Sequence, residues 1–367
     1  LGGLWAERLE ALAPTGSPRR SAWEIAAVLG ENPSRELWRE VCDRVGLSAE
    51  EAVFAPLEEA GWLGRDAERL PFRVPALWEA LRVGAEGSGR AAVWHGAAAE
   101  LLSDRGEVAA GRHFALAGRH AEALTPLRRA AADAVNRMQL ESCRALIALW
   151  ERSADAMGMA LDDPRRASVV VVRVHLALHS QEDAEALLRQ GLALAAGRDP
   201  GVEAQLHYTR GWILARAGQH AEADPSFAEA IRLAEGQGEL VAVAQLGRAA
   251  SLFARGQDAR GLVEEAHGRL GPGQEALGLR ADACLGKGLY RLGFPVEARR
   301  WLLRAAARAE RAGAREVEAE ALAELAELSW EEGASAESVR WMERAVGVLA
   351  GSGSDLAWGA AVRLAGF

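Results

Sequence analysis

Two stretches, Ala117-Gly118-Arg119-His120-Ala121-Glu122-Ala123 and Ala217-Gly218-Gln219-His220-Ala221-Glu222-Ala223, differ at a single position. Looser copies stand at Arg255-Gly256-Gln257-Asp258-Ala259-Arg260-Gly261, Leu292-Gly293-Phe294-Pro295-Val296-Glu297-Ala298 and Glu332-Gly333-Ala334-Ser335-Ala336-Glu337-Ser338. Each reads as a glycine that closes one helix, a short polar turn, and a small residue five positions on that opens the next. Glycine suits the closing position because the left-handed backbone conformation costs it no Cβ clash.

The flanks repeat with the turns. Around Gly218 the small or apolar residues are Gly211, Leu214, Ala223, Phe227 and Ala230. The same offsets give Gly111, Phe114, Ala123, Leu127 and Ala130 around Gly118, and Gly286, Leu289, Ala298, Leu302 and Ala305 around Gly293. Around Gly333 they give Ala326, Ser329, Ser338, Met342 and Ala345. One helix supplies the pair three apart and its partner supplies the trio spaced four and three, so each hairpin packs small residues against large ones. A hairpin around Gly256 is degenerate, with Gly261, Glu265 and Gly268 at the packing sites; another lacks the glycine but keeps Val172, His175, Ala184 and Leu188. Gly218, Gly256, Gly293 and Gly333 are 37 to 40 residues apart, so the helices are expected to be longer than those of the ~34-residue standard repeat.

Composition agrees with helices. Half of the 367 residues are apolar, which allows a sizeable core, and Ala, Leu, Arg and Glu dominate while β-branched and aromatic residues are sparse. The length suggests two or three units. Lys287 is the only lysine, which reads as the coding bias of a GC-rich organism. A net charge of −9 argues against phosphate binding. Cys42, Cys143 and Cys284 are odd in number and lie in apolar helical patterns, as expected of buried free thiols in a reducing cytosol. No apolar run reaches the ~18 residues of a membrane helix, and Leu1-Gly2-Gly3-Leu4-Trp5 leads into a charged amphipathic helix rather than a signal peptide. The expected location is cytoplasmic. The chain lacks an initiating Met, which is compatible with an excerpt of a longer polypeptide.

Residues 1–103 read differently. Helices are expected at Leu4–Leu12, Ser21–Leu29, Ser34–Val45 and Ala49–Ala60, the last opened by a Ser48-Ala49-Glu50-Glu51 capping box. Gly61-Trp62-Leu63, a polar turn over Gly64–Arg69 and Leu70-Pro71-Phe72-Arg73-Val74 suggest a small β hairpin, and helices resume at Pro75–Val83 and Arg90–Ser103. Helix, helix, helix, hairpin is the winged-helix order.

The repeat resembles the tetratricopeptide motif over roughly Glu107 to Leu349. The fold implied is an all-α, right-handed tetratricopeptide-like solenoid of about six hairpins over residues 104–367, following a winged-helix-like module. An irregular hairpin is expected near 136–160, containing the helix Leu140–Met157, and a capping helix at Asp355–Ala365. The two halves together, from "AAVLGENPSRELWREVCDRVGLSAEEAVFAPLEEAGWL" through "LPFRVPALWEAL" to "GRHFALAGRHAEALTPLRRAA", are similar to the region after the nucleotide-binding module in STAND-type signalling ATPases. These include maltose-regulator-like transcription factors and bacterial serine/threonine kinases fused to an ATPase. The resemblance implies a sensor region with a protein or peptide partner and an upstream nucleotide-binding domain in the same polypeptide. Relatives often carry His where this chain has Val74, so that support for nucleotide contact is missing here. The alternatives are a freestanding adaptor, or the effector-sensing part of a transcription regulator with a DNA-binding domain beyond Phe367.

No catalytic residues or cofactor are expected. The Gly286-Lys287-Gly288 stretch lacks the Ser/Thr and earlier glycine of a phosphate loop, and no kinase signature, Gly-x-Ser-x-Gly elbow or His-Glu-x-x-His occurs. His175 and His179 are four apart on one expected helix, but no third ligand stands at fixed spacing; packing and a helix-end charge account for them. The expected recognition helix carries Glu50, Glu51, Glu58 and Glu59 and no basic residue, which suits packing rather than a DNA groove. Trp23, Trp38, Trp62, Trp78 and Trp94 are expected in the core.

By the tetratricopeptide resemblance, one face of each first helix lines a concave groove. It would carry Arg173; the stripe Tyr208, Trp212 and Arg216; Arg280, Lys287, Tyr290 and Arg291; and Glu327, Trp330 and Glu331. Arginine and aromatic residues anchor interfaces. The groove from Arg173 to Arg291 is therefore expected to hold an acidic or carboxylate-bearing peptide; ordinary solvated arginines are the alternative.

Overall fold

The computed structural model describes residues 2–47, 50–106, 109–180, 182–271 and 273–350. The chain divides into two compact units, Leu1–Leu161 and Asp162–Phe367. Among the described residues every regular element is helical, and strand pairing is limited to two isolated bridges. The expected capping box at Ser48-Ala49-Glu50-Glu51 and the capping helix at Asp355–Ala365 fall wholly or partly outside the described residues.

The second unit begins with a 3₁₀ turn, Pro164–Arg166, followed by five helical hairpins. These pair α10 (Ala167–Ala177) with α11 (Ala184–Ala195), α12 (Pro200–Arg216) with α13 (His220–Leu233), and α14 (Gly238–Ala254) with α15 (Arg260–Arg269). They continue with α16 (Glu275–Arg291) and α17 (Pro295–Ala312), then α18 (Arg315–Glu331) and α19 (Ser335–Leu349). Each second helix packs on the first helix of the next pair, and successive first helices touch one another. The expected glycine turn is present: Gly218 has φ 77°, its N–H donates to the Ala215 carbonyl at 3.0 Å, and the Gln219 N–H donates to Leu214 at 2.9 Å. This double cap satisfies carbonyls that the helix end leaves open.

Close packing explains the small residues. A Cβ on Gly211 would stand 2.9 Å from the Phe227 ring, and one on Gly247 of α14 would stand 2.6 Å from the same ring. Phe227 therefore lies between its own partner helix, α12, and the first helix of the next pair, α14. Leu302 fills the equivalent place against Gly286, where an added Cβ would meet it at 2.7 Å. Ala223, Ala230, Ala298, Ala305, Ser338, Met342 and Ala345 are fully buried.

The first unit contains α1 (Gly2–Leu12), α2 (Pro18–Leu29), α3 (Arg35–Arg44), α4 (Ala55–Glu59), α5 (Pro75–Gly87), α6 (Arg90–Asp104), α7 (Ala110–Leu116), α8 (His120–Asn136) and α9 (Leu140–Ala156). Trp23 and Trp38 are fully buried, and their indole N–H groups donate to the Val53 and Ala22 carbonyls at 2.8 and 2.9 Å. Trp94 is buried; Trp62 and Trp78 are half-buried.

Two local expectations are corrected. The helix expected over Ala49–Ala60 is broken into a 3₁₀ turn at Glu51–Phe54 and the five-residue α4. Pro56 stands in the first turn of α4, where its missing N–H and fixed φ suit a helix start better than a helix interior. The β hairpin is not a ladder. Gly64 N–H donates to the Pro71 carbonyl and Arg73 N–H to Trp62, both at 2.8 Å, around an isolated Leu63–Phe72 bridge. Pro71 has no donor, and Leu70 and Phe72 donate instead to Pro33 and Glu31 at 2.9 Å. The residues before α3 thus form a third segment beside the expected hairpin, joined through a Ser34–Arg69 bridge.

The helix expected at Leu140–Met157 is present as α9, and it packs on α8 and α7 as the first helix of a following pair would. Its turn uses the same double cap, with Gln139 N–H donating to Ala134 at 2.8 Å, but Met138 occupies the left-handed position at φ 57°. A residue with a Cβ is strained there by about 1–2 kcal/mol.

Candidate functional site

The expected groove residues all lie on first helices of the second unit. Arg173 is on α10; Tyr208, Trp212 and Arg216 on α12; Arg280, Lys287, Tyr290 and Arg291 on α16; and Trp330 on α18. Shared register follows from the packing. Gly211 and Gly286 meet their partner helices, and Trp212 and Lys287, the positions just after them, lie about 100° round the helix from that contact.

On α12 the stripe is graded. Tyr208 is half-buried, its ring centroid 6.0 Å from Phe227. Trp212 is half-buried as well, and the exposed Arg216 guanidinium stacks 4.7 Å above its ring. Such stacking holds a cation in place while leaving its edge open to solvent. Burial pushes the Tyr208 hydroxyl up, and Arg280 opposes that rise.

The α16 stripe is engaged with α18. Lys287 forms an ion pair with Glu324, whose side chain is only 7% exposed, and Arg280 approaches Glu316 at 3.9 Å. Burial and the carboxylates of Glu331, Glu327 and Glu324 push the Tyr290 hydroxyl up. Its oxygen is buried, with no partner in hydrogen-bond geometry. Arg291 has no carboxylate within ion-pair distance among the described residues, and neither has Arg216. Trp330 is 45% exposed.

Lys287 is thus matched by a buried carboxylate, while Arg280 has only a long, solvent-exposed pairing with Glu316. The partner residues, Glu324 and Glu316, were missed in the sequence although a signal exists: each follows its cation by about one repeat interval on the same helix of the next hairpin. A second unforeseen cluster lies in the first unit, where His95 of α6 and His113 of α7 face each other with Nδ1 atoms 2.8 Å apart. Both are buried, and burial pushes them down to about 3 and about 4.

The other candidates part company. His175 is on α10 and depressed first by burial and then by His179, which lies beyond the end of that helix. Among the described residues no group of three or more His, Cys, Asp or Glu side chains is placed to hold a metal. Burial pushes the Cys42 and Cys284 thiols up to about 12, and Cys143 is also raised by burial. Such thiols stay protonated near neutral pH. Glu58, on the expected recognition helix, is bound to Arg35 at 2.9 Å. No described helix is long and apolar enough to cross a membrane.

No protein-family model matches the chain, and no curated protein matches it. A crystal structure of the Signal Transduction ATPase with Numerous Domains (STAND) protein with a tetratricopeptide repeat sensor, from Pyrococcus horikoshii, is similar in fold. The TM-score is 0.54 at 13% sequence identity, over 91% of this chain and 50% of that one. This chain spans about half the length of that protein.

Proposed function

We propose that the chain is a non-catalytic sensor region of a cytoplasmic bacterial signalling protein, lying downstream of a STAND-type ATPase. Its groove, lined by first helices of the second unit, would dock a protein or peptide partner. The observation that carries the reading is the row of touching first helices bearing Tyr208, Trp212, Arg216, Arg291 and Trp330. No hairpin buries its apolar face alone, so stacking creates both the core and a long binding surface. Arg216 and Arg291 give part of that surface a positive character suited to an acidic segment.

The first unit supports the same reading. We read the order α2, bridge segment, α3, α4 and paired segments 62–64 and 71–73 as resembling a winged helix with a reduced wing. The acidic character of the third helix, with Glu58 engaged by Arg35, suits packing against protein better than against phosphates. The regulatory mechanism would be a population shift, the partner favouring one state of the polypeptide through its differential affinity.

The test uses the continuous polypeptide. Its coding sequence is expected to contain a phosphate loop upstream of residue 1, and excising residues 162–349 is expected to change nucleotide turnover several-fold. Absence of a nucleotide-binding module, or turnover indifferent to the excision, would contradict the STAND assignment.

A further inference from the structure

The groove is not uniform, and its middle differs from both ends. α14 packs between α12 and α16. Counting from Ala249, which is fully buried where α12 and α16 have Gly211 and Gly286, the α14 positions matching Trp212 and Arg216 are Ala250 and Ala254. Ala250 is exposed and Ala254 half-buried. The degenerate repeat thus places two methyl groups where its neighbours carry an indole, an ammonium and guanidinium groups.

The flanking helices α12 and α16 both pack on α14. Arg280 lies close enough to Tyr208 to oppose the rise in its pKa, and Arg291 close enough to His220, at the start of α13, to help depress it after burial. The two groove cations without a carboxylate among the described residues, Arg216 and Arg291, stand on opposite sides of α14. Lys287 is already paired with the buried Glu324, and Arg280 has Glu316 at 3.9 Å.

We propose that the stretch bounded by Trp212 and Arg216 on one side and Arg291 on the other, floored by Ala250 and Ala254, is the docking centre. Its occupant is a peptide segment of a protein partner that presents an acidic side chain beside a bulky apolar one. This rests on the groove reading above and narrows it. The carboxylate answers the two guanidinium groups that lack an ion pair, and the apolar side chain packs beside the Arg216-stacked Trp212 ring above the small floor. A carboxylate gains most from cations that lack a partner of their own, because no existing ion pair must be broken.

The experiment screens immobilised twelve-residue peptides against the whole chain. One set carries Asp or Glu next to Phe, Leu or Trp; control sets replace the acid with Lys or the apolar residue with Ser. Anisotropy with the best labelled peptide then compares Arg216→Ala, Arg291→Ala and Ala250→Trp with Arg280→Ala and Trp330→Ala. All five positions are exposed, and thermal melts confirm folding. The acidic–apolar set is expected to bind best, with about a tenfold loss for each of the first three variants and under about threefold for the last two. Equal losses in all five would overturn the centre while leaving the groove. Unchanged binding in all five would overturn the groove itself, and no preference for the acidic–apolar set would overturn the stated occupant.

Discussion

Lys287 illustrates how one side chain can look functional and be structural. Its ammonium meets Glu324, which is almost wholly buried on α18. Removing the cation leaves a carboxylate in a poorly solvated place, and that penalty outweighs the value of an exposed pair. Lys287→Ala is therefore expected to destabilise the chain by about 1–3 kcal/mol, less than a fully buried pair because the lysine is one-third exposed. Lys287→Met with Glu324→Gln should recover most of it. A double-mutant cycle in urea checks this, and additive losses would remove the coupling. The His95–His113 contact makes a second prediction at this scale. Burial, reinforced by Arg112 at both rings, favours the neutral imidazoles. The unfolded chain binds these protons near pH 6.5 and the folded chain only near 4 and 3, so the unfolded state holds more protons in between. Their stabilisation is complete above pH 6.5 and falls as pH drops toward 3. Melting temperature should decline between pH 6.5 and 4.5, and decline less in a His95→Phe, His113→Leu variant; parallel curves would contradict the assignment.

At the scale of the element, small residues are as informative as large ones. Phe227 packs against Gly211 and Gly247 on two different first helices, so Phe227→Ala should open a cavity shared by two hairpins and cost about 3–5 kcal/mol. Chemical denaturation measures it, and a loss below about 1 kcal/mol would show that the site collapses freely. The same offsets made these elements legible in the sequence: a glycine in the left-handed turn and small residues three, four and seven apart leave a period that composition cannot hide. Legibility failed where one residue broke a rule. Met138 occupies a turn position that favours glycine, so α9 lost its register. Pro56 interrupts an otherwise helical pattern, and Pro71 removes the donor that a hairpin ladder needs. The helix that carries each proposed groove residue was legible in the sequence. The ion pairs were not, because Arg280–Glu316 and Lys287–Glu324 join positions one repeat apart and exist only once the hairpins stack.

For the whole molecule, the account rests on cooperation among hairpins of the second unit. Gly288 of α16 tests it most sharply, since an added Cβ would run into the Phe253 ring of α14, and that contact belongs to two hairpins rather than one. Amide hydrogen exchange on Gly288→Val, compared residue by residue with the unaltered chain, is the direct measurement. If each hairpin is held by its neighbours, protection should fall in α14 and α15 as well as in α16 and α17. Loss confined to α16 and α17, with α14 protected as before, would mean that the hairpins stand alone and that stacking does not make the fold.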